Sequence, residues 1–157
     1  MRDLSIVRLN PDSLHVATVA SWTYAEWGHL HPGSNPESYR EAFRRECGDG
    51  GVPSVFVAMQ GDRPVGTAAL MAEDMDSRRE LTPWLASVFV LPEWRGWGIA
   101  ARLIRRVEEE AAACGVGQFY LYTPDQQGLY RRLGWCEHEE LSYRGENVTI
   151  MLRRLEA

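Results

Sequence analysis

Residues Val88 to Ala100, reading VFVLPEWRGWGIA, constrain the fold of this chain more than any other stretch. An apolar run halts at Pro92, a loop punctuated by Gly96 and Gly98 follows, and a long amphipathic pattern begins at once. In that pattern Ile99, Ala100, Leu103, Ile104, Val107 and Ala111 share one stripe, as a helix over 96–114 requires. A strand that passes through glycines into a helix leaves the first helical N–H groups unpaired, at the positive end of the helix dipole. Such a corner holds phosphate without needing a side-chain charge.

The flanking sequence supplies the rest of a mixed sheet. Leu4 to Leu9 alternates like a half-buried strand, and Asn10-Pro11-Asp12 offers a helix start, with apolar spacing continuing to about Trp27. Pro36 to Cys47 reads as a second helix, with Tyr39, Ala42 and Phe43 on one side. Ser54 to Gln60 and Val65 to Met71 read as paired strands across the turn Gly61 to Pro64. A polar loop over 73–82 leads to a strand over 85–91 and then the long helix. Phe119 to Tyr122 reads as a strand, and Pro124-Asp125 opens a short helix through Leu133. Cys136 to Tyr143 and Asn147 to Leu152 form a final hairpin. The order β, α, α, β, β, β, α, β, α, β, β predicts a mixed α/β fold with a parallel crossover between Leu85 and Tyr122.

Composition narrows the function classes. With 157 residues, 45% hydrophobic and 25% charged, the chain suits one domain over 1–157. A formal net charge of −5 disfavours a nucleic-acid partner and leans toward a cationic substrate. Cys47, Cys114 and Cys136 are odd in number and form no CxxC pair, which fits a reducing cytoplasm. Met1 to Arg8 is too polar for a secretory leader, and no apolar run is long enough for a bilayer, so no membrane association is expected. His29 and His31 lack a third ligand nearby, so they read as surface histidines and no metal is expected.

The glycine loop is neither a Walker A motif nor GxGxxG. Arg95-Gly96-Trp97-Gly98-Ile99-Ala100 matches Arg/Gln-x-x-Gly-x-Gly/Ala, and Tyr130-Arg131-Arg132-Leu133-Gly134-Trp135 matches Tyr-x-x-x-Gly-aromatic. Together, with an apolar strand before the loop and a short helix carrying the tyrosine, these resemble the GNAT superfamily of acyl-CoA-dependent N-acetyltransferases. The resemblance is sharp from Val88 to Trp135. It implies a mostly antiparallel sheet of about seven strands with about four helices, its central strands splayed to hold acetyl-CoA as cosubstrate. It also implies a small-molecule amine or peptide as acceptor, and a monomer or homodimer.

The resemblance assigns roles residue by residue. Arg95 to Ala100, with Ala101, would wrap the pyrophosphate, and Arg95 would add a cation. Ser87, Val88, Phe89 and Val90 would lie along the pantetheine, and the N–H of Val88 or Phe89 would face the acetyl carbonyl. Tyr130 would protonate the leaving thiolate; a thiol near pKa ~8.5 and a phenol near ~10 make that transfer close to balanced. An alkyl amine with pKa about 10 is only about a thousandth neutral at pH 7, so a base is also needed.

This sequence departs from the family pattern in three places. Relatives often carry a Glu on the cofactor strand, whereas Ala86 to Val90 has no acid. Glu26, Asp74, Asp76 and Glu80 are the acids available instead, with the cluster Glu73-Asp74-Met75-Asp76 otherwise read as a solvated loop. An Asn often found before the tyrosine is missing, so its cofactor contact is either lost or passed to Thr123 or Gln126. Trp97 stands where polar residues are common, and its ring lies either on the adenine or on the open surface. Trp27 and Trp84 are the two tryptophans expected beside the acceptor, against the plainer reading of packing residues. Arg102, Arg105 and Arg106 read as a solvated face paired with Glu108, Glu109 and Glu110. A non-catalytic acyl-CoA sensor and transfer of another acyl group are the alternatives to acetyl transfer.

Overall fold

The computed structural model describes residues 4–155, so Met1 to Asp3 of the polar N-terminus lie outside it. Seven strands form one sheet: β1 (Leu4–Arg8), β2 (Ser54–Gln60), β3 (Arg63–Met71), β4 (Trp84–Val90), β5 (Gln118–Thr123), β6 (Cys136–Tyr143) and β7 (Glu146–Arg154). Four helices accompany them: α1 (Val16–Trp27), α2 (Pro36–Glu46), α3 (Ile99–Ala113) and α4 (Gln127–Arg132). The order across the sheet is β1-β2-β3-β4-β5-β7-β6, and every neighbouring pair is antiparallel except β4 and β5. This is the mixed, mostly antiparallel sheet that the order of elements implies.

Both faces of the sheet centre are covered, so β2 and β3 are buried almost throughout. Phe56 and Ala58 of β2 face α3, where Leu103, Ile104 and Val107 are fully enclosed. Val55 and Val57 face the other way, against Val16, Val19 and Ala20 of α1 and Phe43 of α2. A third cluster joins Trp84, Tyr120, Met75 and Ile150 where β4, β5 and β7 meet.

Several boundaries differ from the sequence reading, and two helix starts do so for a clear local reason. Helix α1 starts at Val16, because Asn10 Oδ1 accepts from the Asp12 N–H at 2.9 Å and Ser13 Oγ from the His15 N–H at 3.1 Å. Those side chains offer the backbone turns in place of helix. Helix α3 starts at Ile99 because Gly96 and Gly98 have φ of 85° and 79°, outside the helical region. The 73–82 loop contains a short 3-10 turn at Asp76–Arg78.

The polar side of α3 is less solvated than its charges imply. Arg105 pairs with Glu108 at 2.7 Å and Arg106 with Glu110 at 3.2 Å. Yet Glu108 is buried, and its Oε2 accepts from the Trp135 indole N–H at 3.1 Å. Glu110 accepts from Arg8 and from the Gly51 N–H, both at 2.8 Å, tying β1 and the approach to β2 onto the helix. Glu108→Ala is expected to destabilise the protein by about 3 kcal/mol, read from urea denaturation, because it strands a buried indole donor.

Candidate active site

The site begins with two strands that part company. Strands β4 and β5 pair at Trp84 and Tyr120, where the Tyr120 N–H also donates to the Pro83 carbonyl at 3.1 Å. Beyond that point β5 stays on β7 while β4 stays on β3, and the sheet opens between them. A bulge sits at the opening: Ala69 faces Ala86 and Thr67 faces Phe89, so β4 spends two residues against one of β3. Ser87 carries φ of 57°, an uncommon region for a residue with a Cβ. Ser87, Val88 and Phe89 are half-buried in an otherwise buried strand. Their backbone along the opening has no strand partner, which is the condition for an extended ligand to add as a strand.

At the far end of β4 the chain turns through a 3-10 step at Pro92–Trp94 and reaches Gly96 and Gly98. The space around both glycines is empty, so positive φ rather than crowding selects them. Gly98 caps α3 without any side chain, and the first turn holds no acid. The N–H groups of Ile99, Ala100 and Ala101 therefore end the helix unopposed, at its positive pole, while the Ile99 side chain is buried in the core. This donor set fits a pyrophosphate. Arg95 folds back: its Nε donates to the Val90 carbonyl at 2.8 Å and its guanidinium lies 5.5 Å from the centre of the Phe89 ring. It thus pins the loop to β4 as well as carrying charge there. Trp97 is 61% exposed.

Tyr130 on α4 packs against Trp135, in the buried cluster that holds Leu85 and Val90 of β4. Burial pushes its phenol up to about 12, so it holds its proton throughout the physiological range. Thr123, at the end of β5, is buried, and its hydroxyl accepts from the Gln126 N–H at 3.0 Å. That bond sets the entry to α4 and makes Thr123 a support for Tyr130.

On the opposite face of β4, Phe89 meets Trp22 at 6.0 Å and Trp27 at 6.4 Å between ring centres. Asp74, half-buried past the end of β3, has its carboxyl pushed up to about 8, first by burial and then by repulsion from Glu46. Glu46, at the end of α2, is itself raised to about 7 by burial. Burial raises the phenols of Tyr39 and Tyr122, and Asp74 adds a smaller repulsion to each, so an acidic focus lies among α2, β5 and the 73–82 loop. Above it, Arg144 of the β6–β7 turn bonds the Leu30 carbonyl and pairs with Asp76 at 2.9 Å, roofing this side.

The expected acceptor residues therefore divide. Asp74 stands near Glu46 and Trp27 packs against Phe89, whereas Glu26 and Glu80 are exposed and Asp76 is taken by Arg144. Trp84 is fully buried between Tyr120 and Tyr122, with its indole N–H on the Leu81 carbonyl at 2.6 Å, so it supports Tyr122 rather than facing an acceptor. Sequence reading missed Glu46, Tyr39 and Trp22. Only the strand alternation of Tyr120 and Tyr122 against Phe119 and Leu121 marked that side of β5 as aromatic.

A sheet split beside a parallel pair, with a glycine loop at the head of the crossover helix, defines the acetyltransferase class of fold. Residues 52–137 match the model of the acetyltransferase (GNAT) domain, and the chain belongs to that family. It is 30% identical over 90 residues to N-alpha-acetyltransferase 30 of Schizosaccharomyces pombe, covering 55% of this chain and 59% of that protein's length. An aminoglycoside 6'-N-acetyltransferase solved with coenzyme A superposes with a TM-score of 0.78 at 14% identity, covering 98% of both chains. YncA from Salmonella typhimurium, solved with its cofactor acetyl-CoA, gives a TM-score of 0.69 at 18% identity over 98% of this chain and 95% of that one.

A carboxyl held near 8 when folded and near ~3.9 when unfolded binds extra protons in the native state between those values, so stability falls as pH rises through that window. Asp74→Asn is expected to raise the urea midpoint relative to wild type at pH 8.5 and to leave it unchanged near pH 3.5, measured by denaturation at both pH values.

Proposed function

We propose that this protein transfers an acetyl group from acetyl-CoA to a primary amine of a small molecule or peptide, by direct attack with both substrates bound. The observation that carries the reading is the β4–β5 split joined to the uncapped helix beyond Gly98, with Tyr130 in the cluster of Leu85 and Val90. Acetyl-CoA supplies the activated acyl group. Ile99, Ala100 and Ala101, with the Gly96–Gly98 loop and Arg95, hold its pyrophosphate. The free backbone of Ser87 to Val90 aligns the pantetheine, and the N–H of Val88 or Phe89 is aimed at the carbonyl oxygen where charge develops.

Tyr130 donates its proton to the sulfur. In water a phenol raised to about 12 is a reluctant donor to a thiolate. The same burial raises the demand of a desolvated thiolate for a proton, so both partners shift together. Asp74 accepts the proton from the amine, since a carboxyl near 8 matches that task better than an ordinary one. Trp22, Trp27 and Phe89 form a wall that favours a cation carried on an apolar frame. The acidic focus of Asp74 and Glu46 favours the same charge.

The test is a panel of amines and peptides assayed for released CoA thiol. Turnover of one or more primary amines is the expected result. A rise in melting temperature with acetyl-CoA and no thiol from any acceptor would make the chain a binding module instead. With an acceptor in hand, Tyr130→Phe is expected to lower kcat about 100-fold or more while leaving the KM for acetyl-CoA within about twofold. The kcat/KM of the wild type is expected to rise with pH to a plateau above about 8, and Asp74→Asn to remove that limb.

A further inference from the structure

The run from Tyr130 to Trp135 is a helix stop whose parts are anchored on other elements. The Trp135 N–H donates to the Tyr130 carbonyl and the Gly134 N–H to the Arg131 carbonyl, both at 3.0 Å, with Gly134 at φ of 99°. This is a Schellman cap on α4, and such a cap brings together the side chains at its two ends. Here those side chains are Tyr130 and Trp135, edge to face with ring centres 6.1 Å apart. No hydrogen bond or neighbouring charge acts on the Tyr130 hydroxyl among the described residues, so ring packing alone sets where it stands. Trp135 is in turn packed against Phe119 at 4.9 Å and tethered through its indole N–H to Glu108 Oε2 at 3.1 Å. Glu108 is a buried carboxylate whose Oε1 accepts from Arg105 at 2.7 Å and whose Oε2 lies 3.5 Å from Arg153 Nε. Arg153 also donates to the Gly134 carbonyl at 3.3 Å, so the cap and the carboxylate share one cation.

We propose, on the acetyl-transfer reading above, that Glu108 is the positioning residue for Tyr130: it holds the Trp135 indole, and through it the phenol, in a fixed place relative to a donor anchored on the same helix. Glu108 lies roughly 14 Å along α3 from Ile99, at about 1.5 Å of rise per residue. The helix whose first turn holds the pyrophosphate therefore also carries the tether of the acid. An acid must meet the leaving sulfur within hydrogen-bond reach, and misplacement by about 1 Å costs rate steeply. Burying a carboxylate is costly even when it is paired, so stability alone is a weak reason for one at this position. What Glu108 adds over an apolar neighbour is direction, because a hydrogen bond fixes the rotation of the indole.

The experiment measures kcat, the KM for acetyl-CoA and the melting temperature of two variants, with a primary amine that the wild type turns over in the panel above. Trp135→Phe keeps a ring beside Tyr130 and leaves Glu108 with Arg105 and Arg153, but removes the indole N–H. Its kcat is expected to fall about tenfold, with the KM for acetyl-CoA within about twofold of wild type. Glu108→Gln loses the charge and keeps an oxygen for the indole. Its kcat is expected to stay within about threefold of wild type even though its melting temperature drops. Rate is thus expected to follow the indole hydrogen bond and not the stability. In a Tyr130→Phe background, Trp135→Phe is expected to cost no more than about a further twofold, because the acid it positions is gone. An unchanged kcat for Trp135→Phe, an equal loss with and without Tyr130, or a Glu108→Gln kcat as low as that of Trp135→Phe would overturn the positioning role while acetyl transfer stands. A wild type that binds acetyl-CoA and turns over no amine would leave the acid without a task, and both readings would fall.

Discussion

Everything distinctive in this molecule depends on the place where β4 stops pairing with β5. A sheet interior normally satisfies each backbone group through its neighbours, and an unpaired buried donor costs free energy comparable to a lost hydrogen bond. Here the pairing ends after Trp84 and Tyr120, and the chain manages the opening with a bulge at Ser87 and Val88. The walls are held by separate means. Strand β4 is fixed to β3 and α3, while β5 is fixed to β7, and Tyr130 joins the cluster of Leu85 and Val90 from a six-residue helix whose entry Thr123 sets. Tyr130 packs against Trp135, whose indole is itself held by Glu108.

Polarity across the opening follows from the same layout. One end of β4 leads to an uncapped helix N-terminus, a positive pole without a side-chain anion in its first turn. The other end lies near Asp74 and Glu46, two carboxyls that burial keeps reluctant to ionise, with repulsion from Glu46 added at Asp74. An anionic donor and a cationic acceptor are each favoured at opposite ends of one strand, and in the proposed reaction they meet at Val88 and Phe89. In that proposal, burial at Tyr130 and at Asp74 acts on both proton transfers, keeping one group as acid and bringing the other toward neutral pH as base.

The donor side was legible in the sequence because its chemistry is local. A positive-φ loop needs glycine, a helix needs its stripe, and both show in consecutive residues from Val88 to Ala111. The acceptor side was not, because it is assembled from side chains far apart in the chain. Asp74 is set apart from Asp76 only by Arg144, which arrives from the β6–β7 turn. Glu46 ends a helix of unremarkable pattern, and its effect on Asp74 exists only after folding. Trp84 misled for a related reason: its position ahead of the cofactor strand is close to the site, but strand alternation turns its ring into the cluster with Tyr120. The burial of Glu108 escaped notice because it looks like its exposed neighbour Glu109 until Trp135 is placed against it.

Amide hydrogen exchange with and without saturating CoA tests the central claim most directly, since that claim concerns unpaired backbone in Ser87 to Val90. The account predicts that exchange of amides in this stretch and at Ile99 to Ala101 slows at least about tenfold on CoA addition, while amides of β2 stay as they were. Unchanged exchange along β4, with CoA binding evident from a raised melting temperature, would contradict it.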